Sequence, residues 1–220
     1  MPPAADSAQD ATRRAAPLLC VRDLACARGE RQLFSGLGFE LGAGEALHVT
    51  GGNGSGKTTL LRTLCGLRAP QVGAILWQGQ PAAHQPEWLR ALRYLGHAGG
   101  LKGDLTALEN LRVAARLAGC PADEAALLEA LAVAGLAGFE DLPARVLSQG
   151  QQHRVQLARL LLPGARLWVL DEPFTALDVR AVGWLEGVLA AHVAGGGLLV
   201  FTTHQDVGFS HGVRHLHLGA

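Results

Sequence analysis

The chain has 220 residues, 49% of them hydrophobic and 17% charged, which suits a globular protein with a substantial core. Its 19 basic side chains balance 19 acidic ones, so charge offers no argument for nucleic acid as a partner. No apolar run approaches the roughly 20 residues that span a bilayer, so any membrane association is expected to run through another subunit.

Residues 1–16, rich in Ala and small polar groups, read as a flexible N-terminal extension. Arg13-Arg14 precede an apolar stretch that Pro17 interrupts and that is too short for an export signal. From Leu18 the pattern becomes structured. Leu19, Val21 and Leu24 suggest a first strand, Gly29-Glu30-Arg31 a hairpin turn, and Leu33–Leu41 a second strand. Ala46–Thr50 is a short apolar strand that runs straight into Gly51-Gly52-Asn53-Gly54-Ser55-Gly56-Lys57-Thr58. Beyond it, Leu60, Leu61, Leu64 and Leu67 carry helical spacing.

Residues 88–160 read as mainly helical. Thr106 with Glu109 makes a capping box that opens a helix through about Ala118. Pro121 is expected to start another, ended near Gly135. Ser148 with Gln151 repeats the capping-box pattern and opens a helix through about Leu162, stopped by Pro163-Gly164. Leu167–Leu170 and Leu198–Thr202 are continuous apolar runs, as expected of strands covered on both faces. Val182–Val193 reads as the crossover helix between them. The fold class is α/β, with a helical insertion after the glycine-rich loop. His215 and His217 alternate with Leu216 and Leu218 and read as the exposed face of a final strand. Cys20, Cys26, Cys65 and Cys120 are scattered without a CxxC pair, which argues against a zinc or redox motif.

Four elements carry chemistry. Gly51 to Thr58 matches GxxxxGK[ST], a loop whose glycines let backbone N–H groups approach phosphate oxygens. The helix that follows aims its positive end at the same place. Lys57 is expected to reach the β- and γ-phosphates, and Thr58 to bind Mg²⁺. Asp171, at the end of an apolar strand, suits Mg²⁺ ligation; Glu172 is placed to take a proton from an attacking water. Ser148 begins a helix whose free end makes a second anion site. Two such sites either fold together in one chain or are shared between two copies, and pattern alone does not choose. His204 follows a strand end and is the fourth element.

These elements, in this order, resemble the ATP-binding subunits of ABC transporters. Leu147-Ser148-Gln149-Gly150-Gln151 is similar to the LSGGQ signature of that superfamily, Asp171-Glu172-Pro173 to its Walker B motif, Ala176-Leu177-Asp178 to its D-loop, and Thr203-His204 to its H-loop. The resemblance covers about Leu18 to the C-terminus and implies a P-loop NTPase of ABC type. Residues 17–220 would form one ATP-binding domain: a mostly parallel sheet core, an antiparallel β N-terminal part and a helical subdomain at about 88–160. It further implies a head-to-tail homodimer around two ATP molecules. Gly51, Gly52, Asn53, Gly54, Ser55, Gly56, Lys57, Thr58 and Thr59 of one copy would hold the nucleotide, with Thr58 and Asp171 at Mg²⁺. Ser148, Gly150 and Gln151 of the other copy would cap it, and Asp178 would connect the two sites. Glu172 would polarise the water and His204 would hold the γ-phosphate and Glu172 in register.

Three positions depart from the superfamily pattern. Gln149 replaces a signature glycine. Arg28 stands where an adenine-stacking aromatic is usual, and its planar guanidinium suits stacking. His97 stands where a glutamine normally follows the third strand. That His97 variant, with Gly100-Leu101-Lys102 and Leu105-Thr106-Ala107-Leu108-Glu109-Asn110-Leu111, resembles the cytochrome c maturation ATPase family, CcmA. The likeness implies an ATPase bound peripherally at the cytoplasmic face of a bacterial inner membrane, with membrane partners resembling CcmB, CcmC and CcmD. Its ATP hydrolysis would drive haem export or release of the haem-loaded chaperone CcmE. Direct haem binding and nucleic acid are not expected. The competing readings are an ABC ATPase for another substrate and a low-turnover, nucleotide-gated interaction module.

Overall fold

The computed structural model describes residues 17–83, 85–96, 100–120, 122–205, 208 and 212–219. The expected N-terminal extension and His97 lie outside the described residues.

Two sheets organise the fold. Strands β1 (Leu19–Arg28) and β2 (Arg31–Leu41) form the expected hairpin, whose turn is Gly29-Glu30. Two further strands, β4 (Val72–Trp77) and the two-residue β5 (Gln80–Pro81), complete an antiparallel sheet in the order β2-β1-β4-β5. The second sheet takes β3 (Ala46–Gly51), β6 (Leu92–Leu95), β7 (Leu167–Asp171), β8 (Leu198–Thr202) and β9 (Val213–Leu218) in the order β6-β7-β8-β3-β9. All its pairings are parallel. Every residue of β7 and β8 is buried, as their unbroken apolar runs require. Helix α1 (Lys57–Leu64) packs one face of the sheet, and α6 (Val179–Ala194) contributes Leu185, Leu189 and Val193 to the core on the other.

β6 stands inside the stretch expected to be mainly helical. The helix α2 (Pro86–Ala91) passes directly into it, leaving no turn residues to mark the change. Its Arg93 is buried, because the guanidinium donates to the carbonyls of Arg159 and Leu162 at 2.5 and 2.6 Å. Those carbonyls close the helical layer that follows.

That layer contains α3 (Ala107–Leu117), α4 (Glu124–Val133) and α5 (Gln149–Ala158), with its own apolar cluster around Leu111, Leu127, Leu131 and Val155. Both expected capping boxes form. Thr106 Oγ1 accepts from Glu109 N at 3.1 Å, and Ser148 Oγ from Gln151 N at 3.2 Å. α4 starts at Glu124, where the Asp123 side chain accepts from Ala126 N and fixes the cap; the expected start, Pro121, lies outside the described residues. α5 ends at Ala158 and tightens into a 3₁₀ turn, Arg159–Leu161, before Pro163.

Asn110 ties the start of this layer to the preceding loop. Its amide donates to the carbonyls of Lys102, Leu105 and Thr106, and its oxygen accepts from Lys102 N at 2.8 Å. Asn110→Ala would leave these groups without their partner inside a buried corner. Stability should fall by about 1–3 kcal/mol, read from the midpoint of urea unfolding.

Candidate active site

The loop between β3 and α1 is shaped by glycines with no substitute. Gly51 adopts φ 143°, and a Cβ there would stand 2.3 Å from the Leu218 carbonyl oxygen and 2.6 Å from Ser55 Oγ. Gly56 adopts φ 104°, and a Cβ there would press on Leu33 and Phe34 of β2 at 3.1 and 3.2 Å. The loop is thus clamped between the final strand and the hairpin. No side chain caps α1 at Gly56, which leaves the positive helix end to the loop side.

A cavity of about 420 Å³ opens over this loop. It is lined by Gly52 through Thr59, by Asp171, Glu172 and His204 from the ends of β7 and β8, and by Arg28, Arg31 and Leu33 of the hairpin. The volume is in the range of small-molecule sites. Lys57 Nζ donates to the carbonyls of Gly51 at 2.7 Å and Gly52 at 3.2 Å, so its ammonium lies along the loop.

The acidic pair is held by a relay of hydroxyls. Thr58 Oγ1 donates to Asp171 Oδ2 at 2.8 Å, and Thr202 Oγ1 donates to Asp171 Oδ1 at 2.9 Å. Thr202 Oγ1 also accepts from Glu172 N at 3.0 Å. The register of β7 against β8, which pairs Asp171 with Thr202, makes this contact. Glu172 sits in the left-handed region at φ 56°, an uncommon conformation for a non-glycine residue and one found at functional turns. Its Oε2 accepts from His204 N at 3.2 Å, and His204 Nε2 stands 3.4 Å from Oε1. Oε1 is buried and takes no hydrogen bond among the described residues, so this oxygen is left with acceptor capacity beside the cavity.

The signature residues lie elsewhere. Ser148, Gly150 and Gln151 line no part of the cavity, and Ser148 is exposed. Gln151 Oε1 accepts from Ser148 N, completing the reciprocal cap. Asp178 is likewise outside the cavity. It caps α6 by accepting from Ala181 N and pairs with Arg154 at 2.6 Å. The glycine-rich loop and the Ser148 helix end therefore do not share this cavity.

Three contributors were not singled out from sequence. Arg31 and Leu33 reach the cavity because Arg28 and Arg31 pair across the hairpin; the turn at Gly29-Glu30 was the available signal. In the sequence Thr202 is only the end of an apolar run, and nothing local marks its bridging role.

A model of the ABC transporter family matches residues 34–175. The chain is 53% identical to the cytochrome c biogenesis ATP-binding export protein CcmA of Nitrosomonas europaea, over 86% of this chain and 90% of that protein. It is 55% identical to the CcmA of Escherichia coli O157:H7, over the same shares of each. The chain belongs to the CcmA family of ABC transporter ATP-binding proteins. Among solved structures, an ABC transporter ATP-binding protein from Pyrococcus furiosus superposes with a TM-score of 0.79 at 24% identity, over 91% of this chain and 96% of that one. An ATP-binding subunit of another ABC transporter gives 0.76 at 30% identity, over 85% and 80%. The chain is thus an ABC ATPase with the family's α/β architecture.

Proposed function

We propose that this chain is the ATP-hydrolysing subunit of a cytochrome c biogenesis export complex, powering haem export or release of the haem-loaded chaperone CcmE. The observation that carries the catalytic part is the convergence of Lys57, Thr58, Asp171, Glu172 and His204 on one glycine-lined cavity. In this reading the loop from Gly51 to Thr59 wraps the phosphates, with Lys57 turning from the loop carbonyls toward them. Glu172 accepts the proton of the attacking water. His204 orients Glu172 and contacts the γ-phosphate. Arg28 lies against the nucleotide base.

The donor set fits Mg²⁺: the Thr58 hydroxyl and the Asp171 carboxylate are hard oxygen donors already in contact. When bound, the ion would neutralise charge on the phosphates. Thr58 and Asp171 would hold it.

Ser148, Gly150 and Gln151 act on the nucleotide of a second copy. Their absence from the chain's own cavity supports this, as does the exposure of Ser148 at the start of α5. Asp178, beside that helix, would couple the two sites. His97 would stand in for the usual glutamine between the nucleotide and the membrane subunits. Among the described residues no helix is long and apolar enough to cross a membrane. The chain would then dock at the cytoplasmic face of the inner membrane on subunits resembling CcmB, CcmC and CcmD.

Affinity purification of the tagged chain from detergent-solubilised membranes tests this assignment. Recovery of CcmB-like and CcmC-like subunits, with ATP hydrolysis in the same fraction, is the expected result. Recovery with an unrelated permease would overturn the haem assignment while leaving the ATPase in place.

A further inference from the structure

A row of three rings crosses the parallel sheet beside the catalytic loop. His48 on β3 pairs with Phe201 on β8 and with His215 on β9 in register. The His48 and Phe201 rings are stacked, with centroids 4.7 Å apart and planes 8° apart, and the His215 ring is tilted against His48 at 5.3 Å. An aromatic ring that only filled space would be satisfied by this packing. His48 does more: its Nε2 lies 3.3 Å from the carbonyl oxygen of Thr203.

That carbonyl can only accept, so Nε2 carries the hydrogen. Burial, the largest influence, and the neighbouring His215 hold the His48 pKa below the ordinary histidine value, against the opposing pull of the Thr203 carbonyl and Glu172. At neutral pH the ring is therefore the neutral tautomer with Nε2–H. His204 and Glu172 are the other ionisable groups that act on it.

Thr203 is the residue from which His204 leaves the sheet. Its own hydroxyl accepts from Gln205 N at 3.0 Å. His204 N in turn donates to Glu172 Oε2. The segment Thr203–His204 is thus pinned at the Thr203 carbonyl, the Thr203 hydroxyl and the His204 amide. The first pin comes from β3 and the third from the end of β7, so the segment is held from the strands on either side of β8.

We infer that His48 is a positioning residue, whose Nε2–H holds the Thr203 carbonyl so that His204 and Glu172 keep the geometry hydrolysis needs. The inference rests on the catalytic reading of Glu172 and His204 given above. His48 is not among the residues that line the cavity, so its action would be on turnover rather than on nucleotide binding.

The test uses the full chain in its co-purified membrane complex and compares His48→Phe, His48→Gln and His204→Ala. Phe keeps the ring stack and removes the donor. Gln removes the ring and puts an amide N–H at a similar reach. His48→Phe should lower kcat about tenfold, the scale of a small displacement of a catalytic group, with KM for ATP unchanged within about twofold. His48→Gln should recover most of the lost turnover. Parental kcat in His48→Phe, or a loss that Gln does not repair, overturns the inference. A rise in KM equal to the fall in kcat would overturn it too. If His204→Ala also keeps parental kcat, the catalytic reading fails with it; if only His48→Phe keeps it, the His48 inference fails alone.

Discussion

A Glu172→Gln variant is expected to bind ATP as the parent does and to hydrolyse it at least about 10²-fold more slowly. Gln matches Glu in size, and its amide oxygen can still accept from His204 N, so the loop after β7 should keep its shape. What it loses is basicity. In the parent, one carboxylate oxygen takes the His204 amide hydrogen at 3.2 Å. The other is buried, next to His204 Nε2 and free of hydrogen bonds among the described residues. In the proposed mechanism this carboxylate is the group that accepts the proton from water. A 10²-fold loss corresponds to about 2.7 kcal/mol of barrier, a common size for one proton-transfer group. Nucleotide affinity by titration and single-turnover hydrolysis separate the two effects. Hydrolysis near the parental rate would remove Glu172 as the base.

Lys57→Ala should act at the other stage, weakening ATP binding by roughly 10²-fold or more through the loss of a charge-assisted contact to phosphate. The ammonium in this structure is satisfied by the carbonyls of Gly51 and Gly52. A polyphosphate offers it a full opposite charge instead, in a cavity whose acidic lining residues, Asp171 and Glu172, lie at the strand ends rather than on the loop. Ala is favourable in a helix, so α1 and the fold should persist. An unchanged dissociation constant, measured with a fluorescent ATP analogue, would contradict the phosphate-loop assignment. The two variants together distinguish holding the nucleotide from cleaving it.

Much of this site was legible in one dimension because its parts are local. A glycine-spaced loop between an apolar strand and a leucine-spaced helix needs only neighbouring residues to be recognised. The same holds for Asp171-Glu172 after a buried strand and for the two capping boxes, each closed by side chains three residues apart. The hairpin β1–β2 and the buried strands β7 and β8 followed from turn chemistry and unbroken apolar runs. Strands β4 and β5 carried weaker patterns, and β6 was masked by the helix that leads into it.

The amino-acid order by itself thus determined the phosphate loop, the acidic pair, both caps and the α/β class, since each is set by spacing within a turn or a strand. Tertiary structure alone decided that Thr202 bridges Asp171 and Glu172, that His204 meets Glu172, and that Arg28 and Arg31 share the cavity with Lys57. It also decided that Ser148 stands apart from the chain's own phosphate loop. These relations depend on which strands lie side by side and in what register. Residues far apart along the chain meet only when the sheet pairs their strands, and no local periodicity encodes that pairing.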